Sequence, residues 1–363
     1  MRFHMHLLPT YFPDRDPPFD VYFQQILEQV QLAEELGFEC FWFTEHHFVL
    51  YGGPVPNPAV MMAAAAARTS RIHLGSAISI LPLHHPVQTA EDYAMVDVAS
   101  GGRLEFGIGL GNAPRDLEVY GISRDERRER FEEALEIIKL AWTNERFSHE
   151  GRFWQIPADT ALLPRPIQQP HPPLWAAATS VEAMEWAGRQ GFNVMTVAHP
   201  FPPERVRGAV PAWRQALAEA GLDGTQRHCK IHVRVWVDES AERAREVAEA
   251  AIQRYDSHQA QAGVGRLAQG PPPTYDWQGM LEQGRNAYGN PDQCIRCIEA
   301  TRRNYDFDIF SATFNFGGVP HEEIKRAMRL FAKEVMPAFR DGASSSPSGA
   351  AGGATDGLRI AIP

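Results

Sequence analysis

The sequence predicts a single α/β domain, a (β/α)8 (TIM) barrel spanning residues 1–340, with insertions after strands four and seven. Three observations carry this. Eight short runs rich in apolar residues recur along the chain, the pattern of parallel strands covered on both faces. Between them lie stretches with apolar residues at three- and four-residue spacing, so strands alternate with helices. With 363 residues, 44% hydrophobic and 22% charged, the chain can bury one large core.

The first strand reads as Phe3–Leu8. In the helix that follows, Gln24–Leu36, Ile26, Leu27, Val30, Ala33 and Leu36 fall on one face, and Gly37 terminates it. Strand two, Cys40–Thr44, runs into Glu45-His46-His47-Phe48. Strand three, Ile72–Leu81, is rich in small residues over Leu74-Gly75-Ser76-Ala77-Ile78-Ser79, which suits a flat ring lying against backbone. Strand four, Leu104–Ile108, continues as Gly107-Ile108-Gly109-Leu110-Gly111-Asn112-Ala113; following the fourth strand, this run argues close backbone approach to a ligand and not a dinucleotide fold. The proline-rich stretch Thr143–Pro173, with a small hairpin over Phe147–Trp154, is the insertion after strand four.

Strand five, Leu174–Ala178, passes straight into a helix that Thr179 or Ser180 would cap, an arrangement able to hold an anion. Strand six is Asn193–Val197, strand seven Ile231–Val237 and strand eight Ile309–Phe314. Ser257–Asn290, rich in Gly, Gln and Pro, is the second insertion and reads as a lid, being too long for a plain connection. Asp341–Pro363 reads as a disordered tail.

A formal net charge of −10 with no Lys/Arg-dense run argues against a nucleic-acid or anionic-membrane partner. No apolar stretch is long enough to span a bilayer, and Met1 leads into a core strand without a signal peptide, so the expected location is cytoplasmic. Of the four cysteines, Cys294 and Cys297 have redox-motif spacing but sit in a helical pattern, which favours a buried structural role.

Adjacent imidazoles and a carboxylate at the mouth of a barrel strand suit proton handling, since strand ends at the carboxyl face converge on one pocket. The candidate catalytic residues are therefore His46, Glu45 and His47, with Glu45 or His47 orienting His46.

The chain resembles the bacterial luciferase-like, flavin-dependent monooxygenases over about residues 1 to 340. The matching stretches are Glu45-His46-His47-Phe48, Leu81-Pro82 with His85-Pro86-Val87, Gly101-Gly102-Arg103-Leu104 into Phe106-Gly107-Ile108-Gly109, Glu185-Trp186-Ala187, Gly289-Asn290-Pro291-Asp292-Gln293-Cys294 and Leu330–Pro337. The resemblance implies reduced FMN as cofactor, O2 as co-substrate, a separate NAD(P)H:flavin reductase, and a homodimer. It places His46 on the catalytic histidine, Ala77-Ile78 on a non-prolyl cis peptide beneath the flavin ring, and Thr179 and Ser180 on the segment meeting the flavin phosphate. Gly109, Leu110, Asn112 and Ala178 complete the implied cofactor contacts. Where members carry a reactive cysteine and a phosphate-binding arginine, this chain has Gly109 and Leu110, leaving Thr179, Ser180, backbone amides and Arg115 to hold the phosphate. The implied chemistry is oxygenation through a flavin C4a-(hydro)peroxide of a small, largely apolar substrate lying among Leu8, Tyr11, Phe48, Phe314 and Phe316.

Three alternatives stand beside this. A deazaflavin (F420)-dependent oxidoreductase would use the same barrel for hydride transfer. A metal-dependent hydrolase would use His4-Met5-His6 as ligands, although strand five offers no Lys or His to complete the set, so no metal is expected. A non-catalytic subunit is disfavoured by retention of Glu45-His46-His47.

Overall fold

The computed structural model describes residues 1–50, 54–111, 113–198, 203–206, 208–261 and 275–339. Eight parallel strands close a barrel: β1 Arg2–Leu7, β2 Cys40–Phe43, β3 His73–Ser76, β4 Leu104–Gly109, β5 Leu174–Ala177, β6 Asn193–Val197, β7 Cys229–Val237 and β8 Ile309–Thr313. Closure follows from the pairings of β8 with both β1 and β7, and of β7 with β6. Each strand lies on a predicted apolar run. The expected third strand is interrupted after Ser76 by a cis peptide bond between Ala77 and Ile78; Ser79 and Ile80 then resume pairing, against Ile108 and Gly109 of β4.

Alternation along the strands sorts the side chains. Phe3, Met5 and Leu7 of β1 join the large core between barrel and helices. His4 and His6 point inward, where they meet Trp42 and Lys230. Gly37, at φ 82°, ends Phe19–Leu36 where the sequence predicts, and Gly101, at φ 69°, ends Pro86–Ser100 in the same left-handed way. Just beyond, Arg103 is buried and donates to the carbonyls of Ser100, Ile72, Ala66 and Thr69, which accounts structurally for the Gly101-Gly102-Arg103 motif.

The first insertion holds a hairpin longer than expected, Phe147–Glu150 with Gln155–Thr160, tied down by the Glu133 carboxylate accepting from the amides of Arg152, Phe153 and Trp154. The second insertion differs more from the expected lid. A helix runs from Ala241 to Gln261, another from Trp277 to Glu282, and a buried strand, Asn286–Gly289, pairs with the end of β7. Local capping and β pairing, not the glycine and proline content, decide both flanks; residues 262–274 lie outside the described residues. The tail read at 341–363 lies outside them too. Cys294 and Cys297 are buried in the helix Pro291–Tyr305, and burial pushes the Cys297 thiol up to about 12, so neither is a redox pair poised for exchange.

Candidate active site

At the carboxyl ends of the strands one half of the barrel mouth carries little side chain. Ala77 and Ile78 are half-buried, Ala177 ends β5 exposed, and Leu110 is half-buried beyond β4. The glycines of β4 are required by strand packing. A Cβ on Gly107 would fall 1.9 Å from the Ser76 carbonyl oxygen, and one on Gly109 would fall 2.1 Å from Ile78 Cδ1. Gly75 likewise leaves room for the Trp42 ring, which would lie 2.2 Å from an added Cβ. Of the two expected caps, Ser180 is the one used: its Oγ accepts from the Ala183 amide at 3.3 Å and starts the helix Val181–Arg189. Thr179 is half-buried and Ala178 buried beside it, whereas Asn112 lies outside the described residues. Arg115 is ion-paired with Glu118 on the surface, and Arg127 donates to the Gly111 carbonyl.

His46 is half-buried at the end of β2. Burial pushes its pKa down to about 4, opposed by the charge of Glu45, so at neutral pH the ring is neutral with one donor and one acceptor nitrogen. Glu45 bonds elsewhere as well. Glu45 Oε1 is shared between His47 Nε2 at 3.0 Å and His84 Nε2 at 2.7 Å, and Oε2 accepts from the Ile80 amide at 3.1 Å. Burial pushes the Glu45 carboxyl up, but the bonds from His47 and His84 more than offset it and hold it below its ordinary value. The ring of His47 continues the chain to the Tyr120 hydroxyl at 3.3 Å. The ligand atoms of Glu45, His47 and His84 lie within 4.8 Å of one another and could hold a divalent ion. His84 had no signal of its own in the sequence, since its partner is 39 positions away.

The opposite half of the barrel is basic. Along β7 the alternate residues Lys230, His232 and Arg234 share the inward face. Lys230 Nζ stands 4.1 Å from the Trp42 ring centroid and 3.4 Å from His6 Nδ1. The His6 and His232 rings stack at 4.1 Å, and His232 Nε2 lies 2.7 Å from Thr313 Oγ1, which donates to the His6 carbonyl at 2.8 Å. Arg234 lies over the Tyr255 ring at 4.4 Å. Burial depresses His6 and His232 well below the ordinary histidine value and brings Lys230 down to about 7. Polar residues at every second position of a strand covered on both sides were the available signal, and the sequence reading passed over it.

The residues expected to line an apolar substrate pocket are differently placed. Phe314 is fully buried and packs on Phe38 and Phe331, because its position directly after β8 directs it to the helix side. Phe316 packs against Trp236 and Tyr288. Tyr11 stacks on Phe19 and donates to the Pro17 carbonyl, and Leu8 is buried. Phe48, at 55% exposure, is the one of the five that presents its ring to solvent. His4 accepts from Trp42 Nε1 at 3.0 Å and His6 faces an amine, so this pair is not set up as metal ligands.

A family model described as luciferase-like monooxygenase matches residues 1–303. The chain is 40% identical over 172 residues to the uncharacterized protein y4vJ of Sinorhizobium fredii, a match spanning 47% of this chain and about half, 48%, of that relative's length. It is 27% identical, over 94% of its own length and 96% of the other, to the oxygenase component of the flavin-dependent trigonelline monooxygenase of Acinetobacter baylyi. The crystal structure of monooxygenase RslO1 from Streptomyces bottropensis superposes with a TM-score of 0.86 at 31% identity, covering 93% of this chain and all, 100%, of that one. An F420-dependent secondary alcohol dehydrogenase shares the fold at a TM-score of 0.70 and 18% identity, covering 94% and 100%.

Proposed function

This chain belongs to the luciferase-like monooxygenase family, and from that premise we propose that it is the oxygenase of a two-component flavin monooxygenase, a homodimer that uses reduced FMN and O2 to oxygenate a small organic substrate. The observation that carries the reading is His46, a neutral acid–base side chain just past the carboxyl end of β2, the strand beside β3 and its side-chain-poor extension. The residues fit a flavin. Ala77, Ile78, Gly109 and Leu110 would back the flat ring, while Ala178, Thr179 and Ser180 would meet its phosphate at a helix start. Bound reduced flavin supplies the activation of oxygen, and the protein's part is to orient, exclude water and manage protons. With its pKa near 4, His46 works from the neutral state, donating a hydrogen bond through one nitrogen and accepting a proton at the other. Glu45, His47 and His84 hold the β2 end against the β3 extension through the Ile80 amide, a positioning role. The separate reductase is supported by the relative whose name reads "oxygenase component".

The test is His46→Ala. Product formed per reduced FMN consumed should fall by ~100-fold, with the melting temperature and FMN affinity near parental. His46→Asn should recover little, because an amide exchanges no proton. Parental activity in His46→Ala would remove the role from this residue. Since the neutral ring is the working form, activity should be flat from pH 6 to 8 and decline only toward ~4; a rise below pH 5 would mean that the imidazolium acts. Deazaflavin-dependent hydride transfer is the competing reading, favoured by the shared fold of the F420-dependent dehydrogenase. Parallel titrations with FMN and with a deazaflavin, read by absorbance, separate the two.

A further inference from the structure

We propose that the cleft between the helix Phe19–Leu36 and the helix His321–Leu330 is a second binding site, one that takes an uncharged polyol through neighbouring hydroxyl groups. The cleft encloses about 360 Å3 and is walled by the loop after β1, the first turns of Phe19–Leu36 and the loop after β8. Its walls include neither His46 nor any residue assigned above to the flavin. Backbone sets its shape. Gly317 and Gly318 follow one another at φ 62° and 66°, and a Cβ on Gly317 would fall 2.1 Å from the Ala251 carbonyl oxygen, so the loop after β8 is held to one course.

Hydrogen-bonding capacity in this cleft is left unspent. Thr10 is 1% and Tyr22 5% exposed and both line the cleft, yet neither hydroxyl has a partner among the described residues. Burial, and then the charge of Asp16 on the same wall, push the Tyr22 phenol up, so the two groups face one space. A relay of fixed polarity adds an acceptor. The Glu28 carboxylate takes a proton donor, so His321 Nε2 donates to it at 2.9 Å and His321 Nδ1 accepts from Gln29 Nε2 at 3.2 Å. Gln29 Oε1 then accepts from Asn315 Nδ2 at 3.2 Å, which leaves Asn315 Oδ1 and the second Gln29 N–H over. Arg15 and Asp16 bring one charge of each sign, so the cleft favours neither an anion nor a cation. Hydroxyls that both donate and accept, planar amides, and a carboxylate and guanidinium that each span two oxygens match adjacent C–OH groups. Ile26 and Ile324 offer an apolar strip to the carbon face of the ligand.

The probes are myo-inositol, a ring with a hydroxyl on every carbon, and cyclohexanol, the same ring with one, titrated calorimetrically into the full-length protein with and without FMN. myo-Inositol should bind at least about tenfold more tightly, because an analogue without the hydroxyls leaves the polar groups of the cleft unpaired. Tyr22→Phe and Thr10→Val should each weaken myo-inositol about tenfold. The melting temperature of both ligand-free variants should stay at or above parental, since the hydroxyl removed has no protein partner; should one variant misfold, as read by circular dichroism, the other decides. Unchanged myo-inositol affinity in both overturns the proposal, as does a fall in both melting temperatures, which would give the hydroxyls a structural role. Equal affinity for the two probes, or no myo-inositol binding at ~10 mM, overturns it too. So does binding that FMN abolishes, which would put the polyol in the barrel mouth. Failure of FMN to bind at all would sink the flavin reading alone, because the titration of flavin-free protein still answers whether a polyol is bound.

Discussion

Along β4 the inward positions are Glu105, Gly107 and Gly109, and along β7 they are Lys230, His232 and Arg234. The same repeat of strand and helix thus leaves one side of the barrel bare and loads the other with long nitrogenous side chains. The two are complementary around Trp42. Its ring occupies the space that Gly75 vacates on one side and receives Lys230 on the other. The bare side is made by close strand packing, which apolar burial supports. The basic side runs against burial, since His6, Lys230 and His232 are taken out of water and burial lowers the pKa of each. A stable barrel would be easier to build without it, which marks β7 as the side where function departs from stability.

Four substitutions would break or sharpen that contrast. The largest effect is expected from Lys230→Met. The lysine titrates at 10.5 when exposed and at about 7 in the fold, so between those values the unfolded chain binds more protons and stability rises with pH. Removing the amine should stabilise the protein at pH 7 by about 3–5 kcal/mol, and the gain should vanish by pH ~10.5. A melting temperature at pH 7 no higher than parental would mean that the basic wall carries no such burden. The acid side has the same sign for His46: its folded pKa near 4 lies below 6.5, so stability should fall as pH drops through 6.5 toward 4.

Gly107→Ala comes next. Its Cβ would meet backbone oxygen, which cannot move like the end of a side chain, and urea unfolding should show a loss of about 3 kcal/mol. If the variant is as stable as the parent, packing does not explain the bare half. Ser180→Glu should weaken FMN binding by about 1.5–3 kcal/mol, through a lost donor site and added repulsion, and unchanged affinity in a flavin titration would move the phosphate elsewhere. Ser180→Ala is the mildest, about 1 kcal/mol of stability from the lost cap, and a larger loss would assign Ser180 more than capping.

The local pattern of residues was enough for the eight strands, the helix stop at Gly37 and the position of His46 at a strand end, because each of these depends on neighbours within one or two turns of chain. The family motifs added the cis bond at Ala77-Ile78, which the structure contains. What the sequence could not decide was partnership across the barrel. Glu45 turns to His84, Phe314 to Phe38 and Phe331, Lys230 to Trp42 and His6, the last over a separation of 224 positions. Chain periodicity says which face of a strand a side chain takes, but closure of the ring decides which distant strand lies opposite. The electrostatic character of the mouth is therefore a property of the closed barrel, where inward groups from β1, β2, β7 and β8 share one desolvated space.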